Sequence, residues 1–217
     1  FVLDHPNWQP WPGYATDELL DSMDGMRGME IYTGVIERLT GRAEATDRWD
    51  RLLSRGWRLF GHATDDQHRQ EDLFLGWNCV QWPADQEPTP AGIVAALAEG
   101  RFYASTGVTI GRLELDTVER RIILESDADQ IRWICRGGVC VNRIASGACA
   151  FTLDEFAGWQ VLKNAVWPGS AGVPADAVCV GARYLGGGGA RAWPGRGRIM
   201  RKGGRCSAPR RRAPAGG

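Results

Sequence analysis

The first hundred residues alternate short apolar runs with amphipathic segments. Phe1-Val2-Leu3-Asp4 is an apolar run that stops at His5-Pro6, because proline cannot continue a ladder and holds the residue before it extended. Thr16-Asp17-Glu18 predicts a helix start, with Thr16 as N-cap and two acids in the first turn. Leu19, Leu20 and Met23 form its apolar face, and Gly25 or Gly28 is the expected stop. A second strand is predicted over 29–32, with Glu30 set among apolar neighbours, and a loop with a helical turn over 34–45. Residues 47–56 predict a helix with Trp49, Leu52 and Leu53 on one face and Gly56 at its end. Strands follow over 57–63 and 76–82, and Thr89-Pro90 opens a last helix that faces Ile93, Val94 and Leu97 inward and closes at Gly100. Such alternation predicts a parallel α/β arrangement, in which chemistry collects at the carboxyl ends of the strands.

Beyond Gly107 the period shortens. Alternating runs over 110–115, 121–125, 131–135, 149–153 and 178–184, separated by glycine-rich or acidic turns, predict an antiparallel β module, a small sandwich. From 186 to 217 the chain is rich in Gly, Arg, Pro and Ala with little to build a core, which predicts a disordered tail. Three regions are therefore expected: 1–107, 108–185 and 186–217.

Composition narrows the class. A hydrophobic fraction of 43% and a charged fraction of 24% are those of a soluble globular protein. No window approaches the roughly 18 consecutive apolar residues of a membrane span, so no membrane partner is expected. The opening residues have neither the basic nor the apolar segment of a signal peptide, making the reducing cytoplasm the expected location. They also lack an initiator Met and begin on strand-forming residues, as the remainder of a longer protein would. The zero net charge hides an asymmetry: ten Lys and Arg and no acid follow residue 176, so the first 176 residues carry 16 basic and 26 acidic groups, net −10. A body this acidic is a poor nucleic-acid surface and suits divalent cations. The six cysteines show no Cys-x-x-Cys pair and no tight spacing with histidine, which argues against a zinc finger and gives no disulfide framework.

Only three histidines are available to a metal site: His5, His62 and His68. The run 57–61 leads into Asp66-Gln67-His68, a hard oxygen donor and a nitrogen donor on one short loop at a strand end. Together they can hold a divalent cation, which makes hydroxide from bound water near neutral pH. The same residues can equally form a polar loop with an Asx-type turn. His5 lies at a second strand end, as a ligand or a turn-capping residue. Asp65 is placed beside the ligands, able to orient an imidazole through its other nitrogen, and Glu30 near the cations or the substrate. His62, inside its strand, reads as a packing residue. Arg101, Ser105 and Thr106 can hold a substrate phosphate or merely join the two regions. Trp8, Trp49, Trp57, Trp77 and Trp82 are scattered across elements, as core or pocket walls are.

Five stretches occur in an order that resembles the PHP (polymerase and histidinol phosphatase) domain family: His5-Pro6-Asn7, Met29-Glu30-Ile31-Tyr32, Trp49-Asp50 with Leu52-Leu53-Ser54-Arg55-Gly56, Ala63-Thr64-Asp65-Asp66-Gln67-His68, and Gly100-Arg101-Phe102-Tyr103-Ala104-Ser105-Thr106-Gly107. The likeness covers about the first half of the chain and the latter part of that domain. It implies α/β architecture, namely part of a distorted TIM-like β/α barrel followed by the β module. It also implies a divalent metal centre (Mn, Zn or Fe) that hydrolyses phosphate esters of a small metabolite or nucleotide. By position His5, Asp66 and His68 match the family's metal ligands, with Asp66 and His68 carrying catalysis and Glu30, Asp65 and Asn7 behind them. The family's opening His-x-His and further His and Glu ligands lie upstream of this chain, so little or no turnover is expected of these residues alone. The alternative is a non-catalytic ligand- or carbohydrate-binding protein whose Asp-x-His loop is structural.

Overall fold

A computed structural model describes residues 1–116, 118–135, 139–144, 148–152, 179–183 and 191–194. Three parallel strands, β1 (Val2–Leu3), β2 (Gly28–Thr33) and β3 (Phe60–Thr64), pair in that order. Parallel neighbours require crossovers. The first contains α1 (Asp17–Asp21), and the second α2 (Gly34–Thr40) and α3 (Thr46–Ser54). Thr16 caps α1 by accepting from Leu19 N at 3.2 Å, and the helix ends at Ser22, short of the glycines expected to stop it. Where a loop was expected over 34–45 the chain forms α2. Its N-cap, Thr33, makes no side-chain bond to the helix, so the usual sequence signal for a start is missing.

Strand and helices enclose one apolar cluster that includes Leu20, Met29, Ile31, Trp49, Leu52, Leu53 and Leu59. Withdrawing a side chain of this kind from water contributes about 1.5–3 kcal/mol. Trp49 is buried whole because its indole N–H donates to Leu59 O at 3.1 Å.

The next strand departs from expectation. β4 (Trp77–Val80) does not extend the parallel sheet; it pairs antiparallel with β5 (Phe102–Ser105), which follows α4 (Pro90–Ala98). Thr89 caps α4 by accepting from Gly92 N, and Gly100 takes a positive φ of 73° after its end. The seam between β3 and β4 is closed by a side chain. Asn78 Oδ1 accepts from Ala63 N at 3.1 Å and Asn78 Nδ2 donates to Ala63 O at 3.0 Å, so one amide group substitutes for a neighbouring strand's peptide.

The remaining strands are β6 (Ile110–Asp116), β7 (Arg121–Ser126), β8 (Gln130–Cys135), β9 (Val139–Ile144), β10 (Ala148–Thr152), β11 (Cys179–Arg183) and β12 (Arg191–Pro194), all paired antiparallel. They form a three-stranded sheet, β10-β7-β6, and a six-stranded one, β4-β5-β12-β11-β8-β9. The two sheets meet where Tyr103 Oη accepts from Ile110 N at 3.0 Å. Cys79 and Cys149 are free thiols.

The architecture is thus mixed α/β with several open sheets, and no sheet closes into a barrel among the described residues. The six-stranded sheet takes strands from both sides of residue 107. Residues 191–194, placed in a disordered tail, form β12 between β5 and β11; 195–217 lie outside the described residues. Among those described, no helix is long and apolar enough to cross a membrane.

Candidate functional site

The carboxyl edge of the parallel sheet carries the candidate chemistry. His5 follows β1, α2 follows β2, and Asp66 follows β3, so three chain segments converge where the strands end. They border a cleft of about 340 Å³ lined by His5, Trp8, Val35, Ile36, Arg38, Leu39, Asp66, His68 and Arg69.

Glu30 sets one wall. It is buried midway along β2, and its carboxylate accepts from His5 N at 2.7 Å, Thr33 Oγ1 at 2.8 Å and Thr64 Oγ1 at 2.5 Å. A buried carboxylate is tolerable when donors surround it. This one thereby ties the His5 backbone to the ends of β2 and β3. His5 adopts φ +28°, a left-handed conformation that non-glycine residues seldom take. Its Nδ1 lies 2.7 Å from Tyr14 Oη, and Trp8 packs edge-on to its ring. Burial, with Asp4 and Glu30 nearby, pushes the Tyr14 phenol above its ordinary pKa.

Asp65 sets the base of the opposite loop. Its carboxylate accepts from the backbone N–H groups of Phe74, Leu75 and Gly76 at 2.7–2.9 Å, and its carbonyl from Val35 N at 3.0 Å. Among the described residues all the bonds to its carboxylate are to main chain, and none goes to an imidazole, the role foreseen for it. Asp66 next to it takes φ +48°. His68 Nδ1 lies 2.7 Å from Asp66 O, and the His68 side chain is 66% exposed. Gly34 is required beneath this loop: a Cβ there would stand 2.5 Å from Leu75 Cβ.

The sequence reading missed a third organiser. Asp72, inaccessible to solvent, binds the Arg38 guanidinium through Nε (2.8 Å) and Nη2 (3.2 Å) and accepts from His68 N (3.1 Å) and Arg69 N (2.9 Å). The Arg38 bond, followed by the two backbone donors, holds its carboxyl at a pKa of about 2. The available signal was the acid three residues after Arg69, the position from which a side chain reaches back to a turn's first N–H. Its pairing with Arg38, 34 residues away, has no local signature.

Other foreseen residues lie elsewhere. Asn7 binds α3 and its approach: Nδ2 donates to Glu44 O and to Asp47 Oδ1, and Oδ1 accepts from Arg48 Nε at 2.7 Å. It braces the loop after β1 rather than touching His5, Asp66 or His68. Arg101 is engaged by Glu99 and Gln81 O, and the buried Ser105 hydroxyl by Val108 O and Gly107 N. Arg101, Ser105 and Thr106 do not line the cleft. His62 is buried against Phe102, with ring centroids 4.6 Å apart.

The donors suit a divalent cation in kind: one carboxylate and two imidazoles, each with Nδ1 engaged so that Nε2 is the nitrogen left over. They do not suit it in arrangement. Among the described residues no three His, Cys, Asp or Glu side chains converge closely enough to hold one ion. Comparison with models of protein families, with characterised proteins and with solved structures found no match.

Proposed function

We propose that this cleft is part of a metal-dependent phosphoesterase site, to which the chain contributes His5, Asp66 and His68. The observation that carries the reading is that these three side chains, borne by two strand ends, line one cleft together with two arginines. A divalent cation there would supply hydroxide near neutral pH and offset phosphoryl charge. The protein's own part is positioning: Glu30 fixes the turn bearing His5, and Asp65 closes the loop bearing Asp66 and His68. A small phosphorylated metabolite or nucleotide fits the cleft's size, and the arginines complement its charge.

Calorimetric titration of Mn²⁺, Zn²⁺ and Fe²⁺ into the 217-residue chain tests the reading. Saturable binding is expected with at least one ion, weakened about tenfold or more by His5→Ala, Asp66→Ala or His68→Ala. Binding that all three variants leave unchanged rules the assignment out. A second reading, a non-catalytic site for a carbohydrate or similar ligand, draws on the aromatic group Trp8, Trp11 and Tyr14 around His5, where Trp11 is 59% exposed. It predicts sugar-dependent quenching of tryptophan fluorescence that Trp11→Ala removes and metal does not affect.

A further inference from the structure

A candidate ligand-recognising group, the Arg38 guanidinium, belongs to the lining of the cleft. We propose that Arg38 is the oxyanion-binding residue of this cleft and that Asp72 is its positioning residue; this rests on the phosphoester reading and names the group that would recognise the phosphate. An arginine carries five N–H donors in a planar fork. Asp72 engages Nε and Nη2, which fixes the plane of the guanidinium, and Nη1 makes no bond to another described residue. The side chain is one-third exposed while its partner is wholly inaccessible, so the fork is anchored from below and open toward the cleft. That is the arrangement in which a guanidinium loses little freedom on binding an oxyanion.

The same carboxylate couples this cation to the loop. Asp72 Oδ2 also receives the N–H groups of His68 and Arg69, so Arg38 and the His68–Arg69 backbone share one anchor. Arg69 adds a second cation on the lining, exposed and paired at 3.5 Å with Glu71. Asp66 is the acid on the lining and opposes an anion, and a bound cation would offset it. Arg101, the arginine first suggested by the sequence for a phosphate, is held by Glu99 and lies off the cleft.

The test titrates inorganic phosphate and phenyl phosphate into the full chain without added metal, and Mn²⁺ separately without phosphate. Arg38→Gln is expected to weaken phosphate binding about tenfold or more, the loss typical of one hydrogen bond to a charged group, and to weaken Mn²⁺ binding far less. Arg38→Lys keeps a charge for Asp72 and so guards against misfolding. Its ammonium, occupied by that carboxylate, is expected to lose phosphate affinity as well. Asp72→Asn is expected to weaken phosphate binding less than Arg38→Gln, with Arg38 still present but no longer held. Wild-type phosphate affinity in both folded Arg38 variants overturns the proposal. If instead they lose phosphate binding while His5→Ala, Asp66→Ala and His68→Ala all leave Mn²⁺ binding intact, the oxyanion site stands and the metal reading fails.

Discussion

At the scale of single residues, buried polar groups matter more than the exposed candidates they serve. Glu30 carries no ligand role of its own, yet three donors from β1's exit, β2 and β3 end on it. Glu30→Gln keeps the size but turns an amide NH2 toward at least one of those donors. The expected cost is about 1–3 kcal/mol, read by urea unfolding, with weaker binding at His5 as a consequence. His62 makes a separate prediction. Burial pushes its imidazole pKa down to about 4, against an ordinary value near 6.5. As pH falls through 6.5 the unfolded chain takes up a proton and the folded one does not, so stability is full above 6.5, declines toward 4 and levels off below. The decline is on the order of 3 kcal/mol. Unfolding measured between pH 7 and 4.5 should show this slope, and His62→Gln should lack it.

Among elements, the seam between β3 and β4 depends on one side chain, Asn78, for its two hydrogen bonds to Ala63. Asn78→Ala would leave Ala63 N–H and C=O unpaired in a buried strand, at a cost of about 2 kcal/mol. Faster hydrogen exchange at Ala63 would locate the loss there; unchanged exchange would mean that other contacts hold the seam. This joint also marks where the sequence stopped being legible. Hydrophobic runs located β2, β3 and β4, Thr16 and Thr89 marked two helix starts, and strand ends pointed to His5, Asp66 and His68. A run of apolar residues does not state its neighbour, so nothing in 76–82 revealed that β4 would turn away and pair with β5. Likewise α2 begins at a glycine with no capping bond, and the Arg38–Asp72 pair forms only once α2 and the loop after β3 are folded side by side.

For the whole molecule, β12 is the joint between regions that composition separated. It pairs with β5 on one side and β11 on the other, so four residues near an arginine-rich end connect the antiparallel pair β4–β5 to β8, β9 and β11. A chain ended at residue 190 is expected to expose the β12-facing amide of Ala104, because successive residues of β5 turn their N–H groups alternately toward β4 and β12. Hydrogen exchange should show faster turnover there and none at β2 and β3; uniform protection would count against the pairing. Composition was a poor guide here because a strand between two partners needs backbone groups more than apolar side chains.

The loop from Asp65 to Gly76 has one more implication, for change rather than for stability. Its two ends are fastened to each other by one carboxylate, so most of the entropy of closing it is set at its base and depends only weakly on what lies between. With Asp72 retained inside it, the tip is an exchangeable cassette. Residues 67, 70 and 71 can be rewritten at constant length, which keeps Asp72 three residues after Arg69. A lineage, or a designer, could alter which ligand this edge of the protein selects by editing that tip alone.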